Sequence, residues 1–207
     1  PTVTVRMKET EATMAQSSSV ARHDSHSTTE QGSGWSTKRI AVTALFCALA
    51  AICTLFVEFP ILPAVPWLKY DPSAIVCLIA GFAFGPATGA VVSVISYLPH
   101  IATASGFWGM VMAIVATISM VLPASLVYKR DTTLRGAIVG MVLGGVASVA
   151  ACILANVVVT PLYAHMATAD VIALIVPALL PFNVLKVVIN AVVCALIYKP
   201  VTKALGN

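Results

Sequence analysis

The sequence predicts an all-α integral membrane protein, a bundle of six transmembrane helices, and three observations predict it. Of 207 residues, 59% are hydrophobic and only 10% charged, where a soluble domain carries about 25% charged residues. The mean hydropathy is +0.95. The apolar residues fall into six runs, Thr37–Val57, Ser73–Phe84, Ala87–Ala104, Phe107–Tyr128, Leu134–Thr160 and Pro177–Tyr198, and a span needs roughly 20 such residues. A soluble enzyme, a DNA-binding domain and a secreted disulfide scaffold are excluded together, because so few polar side chains cannot cover a water-facing surface.

The elements follow in order. Residues 1–36 hold Arg6, Lys8 and Arg22 against Glu9, Glu11, Asp24 and Glu30, with thirteen Ser/Thr and no apolar run. Such a segment buries too little to offset its ordering entropy, which predicts a disordered cytoplasmic tail. It carries no apolar core of a secretory signal. His23 and His26 lie in it, and their Ser-rich setting points to solvent rather than to a metal. The membrane domain is expected over 37–207. After the first run comes a polar, Pro-rich loop with Glu58, Pro60, Pro63, Pro66, Trp67, Lys69, Tyr70, Asp71 and Pro72. Gly85-Pro86 is a turn pair between the second and third runs. Val171–Val176 either begins the last helix or precedes it as a separate turn.

Orientation follows from the cations. Among nine Lys/Arg in residues 37–207, Lys38, Arg39, Lys129, Arg130, Arg135, Lys199 and Lys203 share one side if there are six spans. Basic residues flanking spans stay in the cytoplasm, so both termini are expected there. Trp67, Tyr70, Trp108 and Tyr163 would mark the outer interface, and Trp35, Tyr128 and Tyr198 the inner one. Small residues suggest close helix contacts: Gly136, Gly140 and Gly144 in the fifth run, Gly85 and Gly89 in the third, and Ala41, Ala44, Ala48 and Ala51 in the first. Cys47, Cys53, Cys77, Cys152 and Cys194 are scattered through apolar stretches, without zinc or disulfide spacing, and read as packing residues.

Lys186 is the most informative residue. It lies well inside the last run, where an unpaired cation costs several kcal/mol unless it faces a polar cavity. Asn183 and Asn190 stand three residues before and four after it, so all three share one helix face. No acid lies inside a run; Asp71 and Glu58 in the outer loop are the candidate partners. Asn156 adds a carboxamide near the outer end of the fifth run, and His100 is a weaker contact. One ammonium and several carboxamides suit a flat heterocycle with an imide-like edge. No phosphate-binding G-x-x-x-x-G-K-[ST] loop, H-E-x-x-H motif, nucleophile elbow or intramembrane carboxylate pair is present, so the pattern is binding without a visible energy source or chemistry.

The stretch Phe59-Pro60 through Lys69-Tyr70-Asp71-Pro72-Ser73-Ala74-Ile75, then Ile79 to Pro86, resembles the substrate-binding S components of energy-coupling factor transporters, most closely the riboflavin-specific branch. Asn156 with Pro161-Leu162-Tyr163, and Pro181-Phe182-Asn183-Val184-Leu185-Lys186 with Asn190 and Tyr198-Lys199, agree with it. The likeness covers roughly residues 38–203. The family's fourth helix commonly starts with an acidic and then an Asn position, where this chain has Gly109-Met110 and Ala113. The resemblance implies an outer loop between helices 1 and 2 that caps vitamin held in the extracellular half of the bundle. It implies a bacterial cell membrane, riboflavin as transported ligand and no resident cofactor. The partners would be a transmembrane coupling protein and two cytoplasmic ATPases, in keeping with the missing phosphate loop. The candidate binding residues are Asn183, Lys186, Asn156, Asp71, Tyr70 and Asn190. Ala44 and Ala48 are the candidate coupling surface. Another vitamin on the same scaffold, an autonomous secondary transporter and a structural membrane protein remain as alternatives.

Overall fold

The structure, a computed structural model, describes residues 35–63 and 65–204. The tail expected over 1–36, with His23 and His26, lies outside the described residues apart from Trp35 and Ser36. The bundle is one unit over Lys38–Asn207. Its elements are α1 (Thr37–Phe56), a two-stranded hairpin of β1 (Phe59–Pro60) and β2 (Lys69–Tyr70), α2 (Ser73–Phe84), α3 (Pro86–Ile95), a 3₁₀ turn (Leu98–Ala102), α4 (Gly106–Arg130), α5 (Leu134–Ala164), α6 (Thr168–Ala173), a π turn (Ile175–Leu179) and α7 (Leu180–Ala204).

Among the described residues, four helical stretches are long and apolar enough to cross a membrane: Thr37–Phe56, Gly106–Arg130, Leu134–Ala164 and Ile175–Val201. Ser73–Phe84 and Pro86–Ala102 are shorter apolar helices. At 12 residues α2 is only about 18 Å long. It is buried from Ser73 to Ala83, which explains its all-round apolar sequence: a central helix has no solvent face. Large apolar side chains instead lie exposed on the bundle's outside, among them Leu45, Val146, Leu154 and Leu196. Hydrocarbon tails are as apolar as these side chains, so a lipid-facing surface needs no polar cover.

The third run is not one helix. The α-helix stops at Ile95 and the chain tightens into the 3₁₀ turn, because Pro99 has no N–H for an α-helical bond. The fifth helix passes Thr160 and Pro161 and ends at His165, whose φ of 53° is a left-handed stop. Val171–Val176 splits between α6 and the π turn.

Packing sorts the small residues. A methyl group on Gly140 would meet the Ala124 carbonyl, and one on Gly144 the Met120 carbonyl, so the fifth-run glycines bring α5 against α4. Gly85 does not make the close contact its spacing suggested, since nothing would meet a methyl there, but its φ of +89° makes the turn expected of Gly85-Pro86 between α2 and α3 possible. Ala41, Ala44 and Ala48 are exposed, with Ala51 half-buried.

Two ends of the bundle are distinguishable. At one, Arg39 donates through Nη2 to the Phe84 carbonyl (3.0 Å) and to Thr88 Oγ1 (2.7 Å), satisfying a carbonyl at the end of α2. Phe82, Tyr128 and Tyr198 stack there, with ring centroids 4.7–6.0 Å apart. The other end carries the hairpin, the 3₁₀ turn and the start of α7.

Candidate functional site

A cavity of about 360 Å³ lies at the hairpin end, within the lower range of small-molecule sites, about 300–1,000 Å³. Its walls come from the loop between α1 and α2, the 3₁₀ turn and the residues after it, α4, α5 and α7. The loop supplies Glu58, Trp67, Leu68, Lys69 and Asp71; the 3₁₀ turn supplies His100. α4 contributes Gly109, Met112, Ala113 and Ala116, a smooth wall of mostly small side chains; α5 contributes Cys152, Asn156 and Tyr163; α7 contributes Phe182, Asn183 and Lys186.

Asp71 reaches Lys186 from the loop. Lys186 Nζ lies 3.6 Å from Asp71 Oδ2, with side chains 12% and 6% exposed. This settles which loop acid meets the intramembrane cation. Glu58 is engaged elsewhere: Lys69 Nζ donates to its Oε2 at 3.0 Å, and His100 Nε2 lies 3.7 Å from its Oε1. His100 Nδ1 lies 3.3 Å from Thr54 Oγ1, which ties the turn to the end of α1.

The other oxygen of Asp71 is held from the protein side. Asp71 Oδ1 accepts from the Ser73 backbone N–H at 3.0 Å, from Ser73 Oγ, and from the Tyr97 hydroxyl at 3.3 Å. Thr117 Oγ1 donates in turn to Tyr97 at 3.1 Å. An aspartate accepting from the backbone N–H two residues on is ordinary turn chemistry; Tyr97 and Thr117 arrive only through tertiary packing.

The carboxamides divide by depth. Asn156 donates to the Cys152 carbonyl (2.8 Å) and accepts from Thr160 (2.9 Å); Asn183 donates to the Leu179 carbonyl (2.7 Å). These local bonds fix each amide plane at the cavity wall. Asn190 and Tyr70, expected as binding residues, do not line this cavity. They bond each other, Tyr70 OH donating to Asn190 Oδ1 at 3.0 Å, and Asn190 borders a small crevice shared with Asn183 and Lys186. Tyr70 is also turned inward rather than set at the outer interface: it is buried, and stacks edge-on with its cross-strand partner Phe59. Burial, and then the charge of Asp71 and the nearby Cys53, push the Tyr70 phenol up to about 12, so it remains a donor.

Trp67, Met112, Tyr163 and Phe182 were not singled out as site residues by the sequence, and neither was Tyr97. Trp67 and Tyr163 had a signal, the interfacial position expected of them from the sequence; an aromatic or Met within an apolar run gives none.

The fold and this cavity define a multi-pass membrane protein with a site of mixed polar and apolar lining between its helices. It belongs to the family described as ECF transporter, substrate-specific component, which matches residues 38–198. The chain is 29% identical over 169 residues to the riboflavin transporter RibU of Staphylococcus aureus, covering 78% of this chain and 89% of that protein. Against the riboflavin transporter RibU of Streptococcus thermophilus it is 31% identical over 180 residues, covering 82% and 85%. The riboflavin transporter FmnP of Bacillus subtilis is 29% identical over 173 residues, covering 78% and 90%. A solved S component of a bacterial ECF transporter superposes with a TM-score of 0.71 at 27% identity, covering 82% of this chain and 98% of that one.

Proposed function

We propose that this chain is the riboflavin-binding subunit of an ATP-driven vitamin importer, taking the vitamin from outside and delivering it through a coupling protein and two cytoplasmic ATPases. The observation that carries this reading is the convergence of Asp71, Asn156, Asn183 and Lys186 on one cavity. The names of the relatives supply the vitamin. A flat ring between Trp67, Tyr163 and Phe182 would bury apolar area, while the Lys186 ammonium and the Asn183 and Asn156 amides meet the polar edge. At 3.6 Å from Asp71 the ammonium is beyond normal hydrogen-bond length, so its protons remain for a ligand carbonyl or ring nitrogen. Tyr70 and Asn190 act behind the wall, tethering the loop to the deep part of α7.

In this reading α2 and α3 complete six crossings, residues 37–207 form the substrate-binding domain, and the tail and both termini face the cytoplasm of a bacterial cell. The loop between α1 and α2 caps the ligand. Exposed Ala44 and Ala48 offer the coupling protein a smooth strip one turn apart. The test is flavin fluorescence in detergent: riboflavin should be quenched on titration with the purified protein, and the purified protein should carry a yellow chromophore. Unquenched riboflavin would refute the ligand assignment, and quenching by a different heterocycle instead would assign the scaffold to that compound.

A further inference from the structure

We propose that Tyr97, which does not line the cavity, is a positioning residue for ligand binding, setting the direction of the Asp71 carboxylate and through it the Lys186 ammonium. This rests on the riboflavin reading of the cavity given above.

The argument is a count of protons. Tyr97, Ser73 and Thr117 are essentially buried, so their hydroxyls must find protein partners. Thr117 Oγ1 donates to the Tyr97 oxygen at 3.1 Å. The single Tyr97 proton is then left for Ser73 Oγ or for Asp71 Oδ1, both of which it touches. Ser73 Oγ gives its own proton to Asp71 Oδ1. Thr117's proton is thus spent on the Tyr97 oxygen, and the Ser73 and Tyr97 protons are the two that converge on that carboxylate oxygen, Ser73's directly and Tyr97's directly or through Ser73 Oγ. That oxygen is saturated, and Oδ2 is what remains for Lys186. Donors directed at an ionised acceptor are stronger than neutral pairs, and they fix the plane of the carboxylate rather than just its location.

Ser73 alone cannot do this. It opens α2 two residues from Asp71, so its bonds hold the carboxylate against the start of that one helix and nothing beyond it. Tyr97, capping the 3₁₀ turn after α3, and Thr117, in α4, belong to other parts of the bundle. Their hydroxyls register the carboxylate against α4, one wall of the cavity. The Tyr97 ring also packs edge-on against His100, with centroids 6.2 Å apart. A phenylalanine in its place would keep that ring contact and delete only the proton and the acceptor.

The experiment is a double-mutant cycle in the full-length protein, with riboflavin as the probe. Tyr97→Phe should weaken binding about tenfold in the otherwise unaltered chain, and less than about twofold in a Lys186→Met background, since the residue that Tyr97 positions is then gone. An equal loss in both backgrounds would overturn the proposal, because a purely structural role affects both alike. Thr117→Val, which removes the donor to Tyr97 and leaves the phenol in place, should show the same dependence with a smaller loss, about threefold. It also serves if Tyr97→Phe fails to fold. A ligand-free cycle on the thermal midpoint separates this inference from the riboflavin reading. Non-additive shifts for Tyr97→Phe and Lys186→Met support the linkage whatever the cavity binds, and additive shifts reject it. Absence of riboflavin binding by the unaltered protein would refute the ligand assignment, with the stability cycle still deciding the role of Tyr97.

Discussion

Replacing Lys186 by methionine tests the cavity most directly, since methionine is an unbranched side chain only one atom shorter and carries no charge. Two effects follow. The first is on the protein. Across 3.6 Å, the Lys186–Asp71 attraction amounts to about 4.6 kcal/mol at an effective dielectric constant of about 20. Much of that is offset by the desolvation of both groups, so the net loss on breaking the pair is expected nearer to 3 kcal/mol, the lower end of the roughly 3–5 kcal/mol range for a buried pair losing one partner. The low end applies because Asp71 Oδ1 keeps its bonds from Ser73 and Tyr97. The second effect is on the ligand. Losing a hydrogen bond to a charged group costs about 1.5–3 kcal/mol, or about 10- to 150-fold in affinity. Riboflavin titration followed by fluorescence quenching measures the second effect, and a thermal melt in detergent measures the first. A lower melting midpoint with unchanged affinity would remove Lys186 from the binding site and leave it a purely structural cation. Unchanged values in both assays would refute the pairing with Asp71 as well.

Three further outcomes are expected. The double variant Ala44→Trp, Ala48→Trp should bind riboflavin almost normally and fail to support uptake in cells carrying the whole transporter; full uptake would show that this strip is not the docking surface, and loss of binding too would point to packing inside the bundle. The Tyr70 phenol, at about 12 in the fold against about 10 in an unfolded chain, favours the folded state fully below pH about 10. That contribution is lost as pH rises through about 12, so alkaline melts of Tyr70→Phe should fall less steeply than those of the unaltered chain, and parallel curves would contradict the assignment. Cysteines introduced at Asp131 and Thr168 should label from opposite faces of the membrane; labelling from the same face would break the six-crossing arrangement.

The membrane writes part of this structure into each segment separately. A stretch in hydrocarbon must satisfy its own backbone and cannot carry an unpartnered charge, so the apolar runs, the basic asymmetry around them and the anomaly of Lys186 with Asn183 could be read without knowing any neighbour. The helix stripe was legible for the same reason: spacing of three and four is local geometry. The breaks were less legible. Pro99 interrupts the third run while Pro161 sits within a continuing helix, and nothing in either dipeptide separates the two cases; neighbouring elements decide how the freed backbone groups are satisfied.

Partner identity was decided by the tertiary structure alone. Asp71 and Glu58 were equal candidates for Lys186, and the hairpin turns one toward α7 and the other toward His100 and Lys69. Tyr97 gave no signal, because a hydroxyl in an apolar run becomes meaningful only when Ser73 and Thr117 are brought against it. The same small-residue spacing had two fates: Gly140 and Gly144 lie against backbone carbonyls of α4, while Ala44 and Ala48 stay exposed. Spacing determines that a helix has a smooth face, a property of one chain segment. What that face meets depends on how the helix is rotated in the bundle, and rotation is set by the packing of all its neighbours at once.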